Sequence, residues 1–359
     1  MGLVWGSFAA MVPVIKGGIG VTDGEFGMLL LLGSVSASIM MLSAPAVARR
    51  LGALQMILPM MVMALFSVFV ALPDTVWLFA IILMTMTAGS AFLDIVMNTE
   101  LSAIEARENT GLMGLNHGIF SFAYAFGAIV SGAAREVGLG PVHVFAGIFL
   151  ICVFLARGMK TQMPPPKPEG ATSAKLPVGL IAIIGAVMLI GLFAEISVEQ
   201  WSALYLERDL GGSAAAGALG PAILGITMGI GRIFGQVLTK WLTEVQIIRI
   251  AGVLSAIGMA IVSVAPSVWV AYPGFVLFGF GVSVSFPMGM AIAGRAVDDA
   301  RRSLMISRVA FVGYTGFFIG PPLMGIVAQS WGLNTSFALV AVLMLVMAGP
   351  LCWLLARPR

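Results

Sequence analysis

Residues 160–175 read Lys160-Thr-Gln-Met-Pro-Pro-Pro-Lys-Pro-Glu-Gly-Ala-Thr-Ser-Ala-Lys175, the one long polar segment in a chain of 359 residues. The proline cluster and the scarcity of apolar side chains predict an exposed, semi-rigid linker. Six long apolar runs precede this segment and six follow it. We therefore predict a first bundle at 1–158, a linker at 159–177 and a second bundle at 178–359.

The composition of the chain decides its class. Hydrophobic residues make up 60% of it, charged residues only 10%, and the mean hydropathy is +1.05. Soluble domains carry about 25% charged residues, so a soluble enzyme is excluded. Disorder is also excluded, since disordered chains combine low hydrophobicity with high charge. An all-α membrane protein remains, and at about 20 residues per span the chain holds twelve transmembrane helices.

The twelve apolar runs supply the predicted helices. They lie at 1–15, 26–47, 55–72, 76–100, 112–134, 142–158, 178–205, 215–240, 246–265, 268–294, 304–330 and 335–356. The first run is too short to cross a hydrocarbon core of about 30 Å, so we expect helix 1 to be truncated. A weak likeness between His117-Gly-Ile-Phe-Ser-Phe-Ala-Tyr and Arg308-Val-Ala-Phe-Val-Gly-Tyr suggests that the two halves are related by duplication.

The loops carry an uneven distribution of basic residues. Of the 19 lysines and arginines, Arg232 and Arg308 lie inside apolar runs. If the helices alternate in direction, only Lys16, Arg135 and Arg208 fall on one side, and the other fourteen fall on the side of the linker. Because cytoplasmic loops are enriched in Lys and Arg, we expect both termini and the linker in the cytoplasm.

Ionisable residues inside the runs are the first candidates for function, because each costs a few kcal/mol unless it faces a cavity or a partner. Asp94 and Asn98 are one turn apart and share a helix face. Asp94 lies twelve residues before the turn near Ala106 and His117 lies eleven after it, so the two reach similar depth. They are candidates for a proton site; a structural hydrogen-bonded pair is the alternative.

Two carboxylates in the seventh run form a second candidate group. Glu195 lies deep enough to face a cavity, whereas Glu199 fits either a cavity or a solvated mouth. Arg308 either binds an anionic group or extends its side chain to the membrane–water interface. The residues expected to bind solute are Asn98, Asn116, Tyr124, Glu195, Glu199, Trp201, Arg308 and Tyr314.

Catalytic and metal-binding motifs are not found in the sequence. It contains no phosphate-binding loop, no His-Glu-xx-His motif and no nucleophile elbow. Cys152 and Cys352 lie in apolar runs without metal-ligand spacing and are expected to be buried packing residues. We expect no enzyme activity, no cofactor, no metal and no nucleic-acid partner.

Twelve spans divided by a polar linker resemble the major facilitator superfamily. The stretches Phe92-Leu-Asp94-Ile-Val-Met97-Asn98, His117-Gly-Ile-Phe-Ser121 and Glu195-Ile-Ser-Val-Glu-Gln-Trp201 resemble its bacterial MosC/YbjJ-like branch. The resemblance extends over almost the whole chain. It implies two six-helix bundles related by a pseudo-two-fold axis, a central cavity, alternating access and a bacterial inner membrane.

The resemblance also assigns roles to single residues. The branch is distantly similar to fucose:proton symporters, which implies that Asp94 handles protons and sugar. The superfamily's loop motif after helix 2 is degenerate here, as Pro45-Ala-Val-Ala-Arg49-Arg50-Leu-Gly52, and its repeat after helix 8 retains Lys240. Arg49, Arg50, Arg232 and Lys240 are therefore the expected gate and loop residues.

The leading functional hypothesis is a monomeric secondary carrier that moves a sugar or another small polar solute with protons across the lipid bilayer. Multidrug efflux is one alternative. It is disfavoured because Ala125-Phe-Gly-Ala-Ile-Val-Ser-Gly132 lacks the Gly-Pro motif usual in helix 5 of drug:proton antiporters. A membrane sensor or scaffold that transports nothing is the alternative from another class.

Overall fold

The computed structural model describes residues 1–72, 75–108, 112–159 and 176–357. The described residues of the first half of the chain form six helices. Their bounds are Gly2–Ile19 (α1), Asp23–Leu51 (α2), Ile57–Phe69 (α3), Val76–Glu108 (α4), Met113–Glu136 (α5) and Pro141–Ala156 (α6). Each covers most of one predicted apolar run. The predicted linker core, residues 160–175, lies outside the described residues.

The second half, as described over residues 176–357, also has six helices. The first three helices are Val178–Leu204 (α7), Ala214–Leu238 (α8) and Glu244–Ser263 (α9), and α10 consists of Val268–Val282 and Ser285–Arg295. The helical stretch Asp299–Val346 is broken at Gly332, whose φ of 85° and ψ of 162° are not helical. We call the part before Gly332 α11 and the part after it, which continues through residue 356, α12. The predicted twelve helices are thus confirmed.

Three helices differ from the predicted runs. Helix α1 extends to Ile19 and has 18 residues, within the range of about 17–25 for a span. Helix α4 continues to Glu108, two turns beyond its predicted end. The reason is local: the Glu105 carboxylate accepts hydrogen bonds from the backbone N–H groups of Leu112 and Met113, which belong to the start of α5. Helix α10 is interrupted at residues 283–284.

Polar residues at the predicted turns begin several helices. At the start of α2 the Thr22 hydroxyl accepts from the Glu25 N–H at 3.3 Å, and the Glu25 carboxylate accepts from the Thr22 N–H at 2.8 Å. Thr243 and Gln246 form the same capping box before α9. These bonds satisfy backbone donors that the first helical turn leaves free.

The helices pair in the same pattern in both halves. In the first half α1 packs on α5, α2 on α4, and α3 on α4 and α6. In the second half α7 packs on α11, α8 on α10, and α9 on α10 and α12. Across the middle, α2 packs on α11 and α5 on α8. This repeated pairing gives two six-helix bundles related by a pseudo-two-fold axis.

The outer surface of the bundles is apolar. Large side chains such as Leu42, Trp77, Phe154 and Phe234 are strongly exposed along the helices. A soluble protein rarely exposes apolar patches of this extent. The outward-facing helix surfaces are therefore suited to lipid, and the polar residues discussed next lie between the bundles.

Candidate functional site

Polar side chains from both bundles meet between them. We call this set the central cluster. It consists of Asp94 and Asn98 on α4, His117, Ser121 and Tyr124 on α5, Glu195 and Glu199 on α7, Arg232 on α8 and Tyr314 on α11.

Helix α8 brings Arg232 to this cluster through its small residues. Gly225 lies so close to α5 that an added Cβ would be 2.9 Å from the Ser121 carbonyl oxygen. Arg232 follows seven residues later on the same face. Its Nη1 donates to Ser121 Oγ at 3.0 Å, and its Nη2 donates to Glu195 Oε1 at 3.3 Å. Arg232 therefore joins the two bundles, whereas the sequence grouped it with the gate residues.

Two carboxylates share this one guanidinium group. Glu199 lies one turn beyond Glu195, and its charge interacts with both Glu195 and Arg232. The Tyr124 hydroxyl lies within electrostatic range of the two carboxylates. It is buried and has no hydrogen-bond partner among the described residues. This part of the cluster thus carries one carboxylate more than it has cations.

Asp94 and His117 lie within electrostatic range of each other, as the counting along the chain predicts. No hydrogen bond joins their side chains in the described part of the structure. Helix α4 packs mainly on α2 and α3, and α5 packs mainly on α1 and α8. The arrangement therefore gives little support to a structural tie between α4 and α5. His117 also interacts with Arg232, which connects the two ionisable groups.

Tyr314 is the member of the central cluster on α11. Its charge interaction with Asp94 reaches across to the other bundle, yet the side chain is 37% exposed. It stacks on Phe317 with ring centroids 6.1 Å apart and lies 5.6 Å from Phe286. We infer a solvent-accessible cavity lined by Tyr314 on one side and Asp94 on the other.

The remaining predicted residues lie in three different settings. Trp201 is fully buried and packs edge-on against Phe26 of α2, with centroids 5.9 Å apart. It therefore belongs to the contact between bundles beyond the cavity. Asn116 is half-buried, with an amide nitrogen that has no partner among the described residues. Four basic residues are exposed: Arg49, Arg50, Lys240 and Arg308.

Ion pairs join the bundles at the end opposite the linker, which we call the closed end. Arg135 at the end of α5 forms a two-pronged pair with Glu207, at 2.6 and 2.7 Å. Arg135 also donates to the Ala10 carbonyl oxygen at 2.9 Å. The two charged side chains are only 10% and 14% exposed. Water is largely excluded from this contact.

A second ion pair lies beside the first. Arg208 Nη1 donates to both carboxylate oxygens of Asp23 at 2.9 Å, and Lys16 Nζ lies 2.9 Å from the same carboxylate. Asp23 begins α2, so this contact again joins the two bundles. The closed end also has a hydrogen bond from the Gly24 N–H to Gln329 Oε1, at 3.0 Å.

The local backbone explains how consecutive residues reach two different helices. Helix α7 ends in a π-helical turn, Tyr205–Asp209. Such turns are common at functional sites, because the extra residue changes the direction of the side chains. Glu207 can thus point to α5 and Arg208 to α2. The Tyr205 hydroxyl anchors the turn by donating to the Val262 carbonyl oxygen at 2.7 Å.

Sequence reasoning did not assign these ion pairs. The three basic residues on this side, Lys16, Arg135 and Arg208, served only to establish orientation. The signal was present, since Asp23 and Glu207 lie within a few residues of predicted helix ends on the same side. The two ion pairs and the hydrogen bond from Gly24 join the bundles at the closed end.

The fold agrees with comparisons to known proteins. The profile described as Major Facilitator Superfamily matches residues 1–284 and 245–359. The chain belongs to the major facilitator superfamily. Members of this family are transporters, not enzymes, so this chain is a multi-pass membrane transporter that binds small-molecule solutes.

Two relatives of this superfamily member align over nearly its full length. An MFS-type transporter of Yersinia pestis is 28% identical over 351 residues, covering 97% of this chain and 91% of the relative. Membrane protein MosC of Rhizobium meliloti is 25% identical over 357 residues, covering 97% of this chain and 86% of MosC. The predicted family and its likeness to MosC are confirmed.

Solved structures of other superfamily transporters share the fold. A bacterial homologue of the human lysosomal transporter Spinster, in an inward-facing and occupied conformation, gives a TM-score of 0.74. The sequences are 15% identical, with 98% of this chain and 94% of the other covered. The nucleoside transporter NupG also gives a TM-score of 0.74. The sequences are 14% identical, with 99% of this chain and 96% of NupG covered. The predicted fold is confirmed.

Proposed function

We propose that this transporter is a monomeric, proton-coupled secondary carrier for a small polar organic solute, with a sugar or sugar derivative favoured. It would act by alternating access in a bacterial inner membrane. The observation that carries the proposal is the central cluster, in which Arg232 bonds to Ser121 of one bundle and to Glu195 of the other. A solute bound there would contact both bundles, as alternating access requires.

The chemistry of the cavity supports a solute rich in hydroxyl groups. Tyr124, Asn98 and Asn116 each have a buried polar atom with no partner among the described residues. Buried polar groups are normally hydrogen-bonded, so these atoms suit a ligand with several donors and acceptors. The stacked rings of Tyr314 and Phe317 offer an apolar face for a sugar ring. NupG, with the same fold, is a nucleoside transporter, and nucleosides also carry a hydroxylated sugar ring.

The excess of carboxylates supports proton coupling. Glu195 and Glu199 share Arg232, and Asp94 faces a single imidazole, that of His117. An uncompensated charge within the membrane is costly, so proton uptake would lower the free energy of the cluster while access to it changes from one side of the membrane to the other. We assign proton coupling to Asp94 and His117, and solute contact to Glu195 and Glu199.

We further propose that both termini and the linker at 159–177 face the cytoplasm, with bundles at 1–158 and 178–359. The distribution of Lys and Arg supports this orientation. The cavity would then open to the cytoplasm. A cysteine replacing exposed Val264 at the closed end should react with an impermeant maleimide added to sealed cells, while a cysteine replacing Lys167 should not. The reverse labelling would contradict the orientation.

Transport by purified protein in liposomes tests the function. A thermal-shift screen of sugars, polyols, carboxylates and amphipathic cations first identifies the solute, because a ligand stabilises the state it binds. Asp94→Asn should then abolish uphill accumulation driven by a proton gradient, yet retain part of the exchange between labelled and unlabelled solute. His117→Ala should move the pH optimum, because imidazole titrates between about pH 5 and 8.

Glu108→Gln, which changes an exposed carboxylate outside the cavity, is the matched control and should transport normally. Accumulation by Asp94→Asn at the wild-type rate across the pH range would refute the assignment of the proton site. Stabilisation only by amphipathic cations would indicate drug efflux. The absence of flux for every stabilising ligand would indicate a sensor or scaffold.

A further inference from the structure

A groove of about 710 Å³ lies on the outside of the second bundle, between α9 and α12 and near the linker end. It is lined by Arg249, Val253, Leu345, Ala348, Gly349, Pro350 and Trp353. None of these residues belongs to the central cluster or to the closed end. The groove is therefore separate from the proposed transport pathway.

The sequence of α12 explains why the groove exists. Leu345, Gly349 and Trp353 follow one another at intervals of one turn, so the missing side chain of Gly349 leaves a gap between two large ones. A Cβ added to Gly349 would meet nothing within 4 Å. This turn is π-helical, Met347–Leu351, and it contains Pro350, which lacks a backbone N–H.

The walls of the groove suit a hydrocarbon chain. Val253, Leu345 and Trp353 are all exposed in the isolated protein, on a helix surface that faces away from the other bundle. In a membrane this surface contacts acyl chains. A gap between two large side chains would hold a lipid tail in one place, whereas a smooth helix surface would let it slide.

The mouth of the groove is basic. Arg249 is an exposed lining residue, and the Arg357 guanidinium carbon lies 3.4 Å from the centre of the Trp353 ring. Neither arginine forms a salt bridge with another residue in the described ranges. Glu244, the acidic residue nearest to Arg249 on α9, is paired with Arg295. Arg357 therefore lies over the ring of a lining residue, and Arg249 lines the same groove; basic and aromatic side chains commonly occur together at membrane interfaces.

We propose that this groove is a specific site for an anionic phospholipid. One acyl chain lies over Val253 and Gly349, and the phosphate group binds Arg249 and Arg357 beside Trp353. Basic pockets between helices at this end of membrane proteins favour acidic head groups, and guanidinium groups bind phosphate with two parallel hydrogen bonds. The proposal does not depend on what the protein transports.

Native mass spectrometry of the purified full chain tests the site. The protein is mixed with phosphatidylglycerol or with phosphatidylethanolamine of the same acyl chains. The wild type should retain the anionic lipid preferentially, and the double variant Arg249→Gln/Arg357→Gln should bind it about tenfold more weakly, reaching the level of the zwitterionic lipid. Gly349→Leu, which fills the gap, should weaken the binding of both lipids.

Arg157→Gln is the matched control, because Arg157 is an exposed arginine at the end of α6, which corresponds to α12 in the other bundle. It should leave the preference unchanged. Thermal unfolding of each variant shows whether it is folded. Equal retention of the two lipids by the wild type would overturn the proposal, as would a folded Arg249→Gln/Arg357→Gln variant that keeps the preference. Loss of retention in the presence of free glycerol phosphate would show a phosphate site instead.

Discussion

In the proposed alternating-access cycle, the ion pair between Arg135 and Glu207 should set the balance between the two accessible states. The pair forms only while the bundles meet at the closed end, so weakening it favours the state in which that end is open. Glu207→Gln removes the negative charge but preserves the size of the side chain. Arg135 then keeps its bond to the Ala10 carbonyl oxygen but loses its charged partner.

The structure gives the size of the effect. A hydrogen bond to a charged group contributes about 1.5–3 kcal/mol, and both side chains here are largely excluded from water, at 10% and 14% exposed. A loss of about 2 kcal/mol corresponds to about a 30-fold shift in the equilibrium. The neighbouring contact of Asp23 with Arg208 and Lys16 remains, so the closed end is weakened but not abolished.

Distances between spin labels measure this shift. Val137 and Val264 are exposed at the closed end, one in each bundle, and accept labelled cysteines after Cys152 and Cys352 are replaced by serine. In Glu207→Gln the population with a longer distance between labels should increase by about 30-fold relative to the closed one.

An exposed ion pair supplies the control. Arg107 and Glu108 are 65% and 56% exposed, and such pairs contribute little, so Glu108→Gln should leave the distances unchanged. The double variant Arg135→Gln/Glu207→Gln should recover part of the closed population, because it removes the unpaired cation. If Glu207→Gln and the wild type show the same distances, the ion pair does not hold the closed end.

Two further predictions concern the cavity and the packing of the helices. Glu195→Gln should weaken solute binding by about tenfold, because it removes the carboxylate that bonds to Arg232. Glu199→Gln should weaken solute binding less. Equal and small effects of the two variants in thermal-shift titrations would contradict this prediction. Gly258→Val should destabilise the α9–α10 contact by about 1–3 kcal/mol, because a Cβ at Gly258 would lie 2.7 Å from the Phe278 nitrogen. The control in thermal unfolding is Gly147→Ala, because an added Cβ at Gly147 meets no atom within 4 Å. An unchanged Tm for Gly258→Val would show that the α9–α10 contact relaxes without loss of stability.

The candidate site was predicted in part. Asp94 and His117 could be placed at one depth because they flank a single turn, and counting along two consecutive helices is enough. Glu195 could be assigned a depth in the same way, since its distance from the start of its helix is known. The partner of Glu195 was not predicted, because Arg232 reaches it through a contact between helices that the spacing of residues does not reveal.

The sequence by itself determined the number of helices, their approximate bounds and the family. These properties follow from local chemistry, because each apolar run must satisfy its own backbone hydrogen bonds in lipid and can do so only as a helix. The identity of the ionisable residues within the runs was equally visible, as was the polar segment between the halves.

The tertiary structure alone decided which of these residues act together. Trp201 is buried against Phe26, and Arg232 lies in the central cluster, because α2, α7 and α8 approach one another from different parts of the chain. The closed end depends in the same way on a π-helical turn that directs Glu207 and Arg208 to different helices. Such contacts are set by the packing of helices distant in sequence, which the period of an apolar run does not encode.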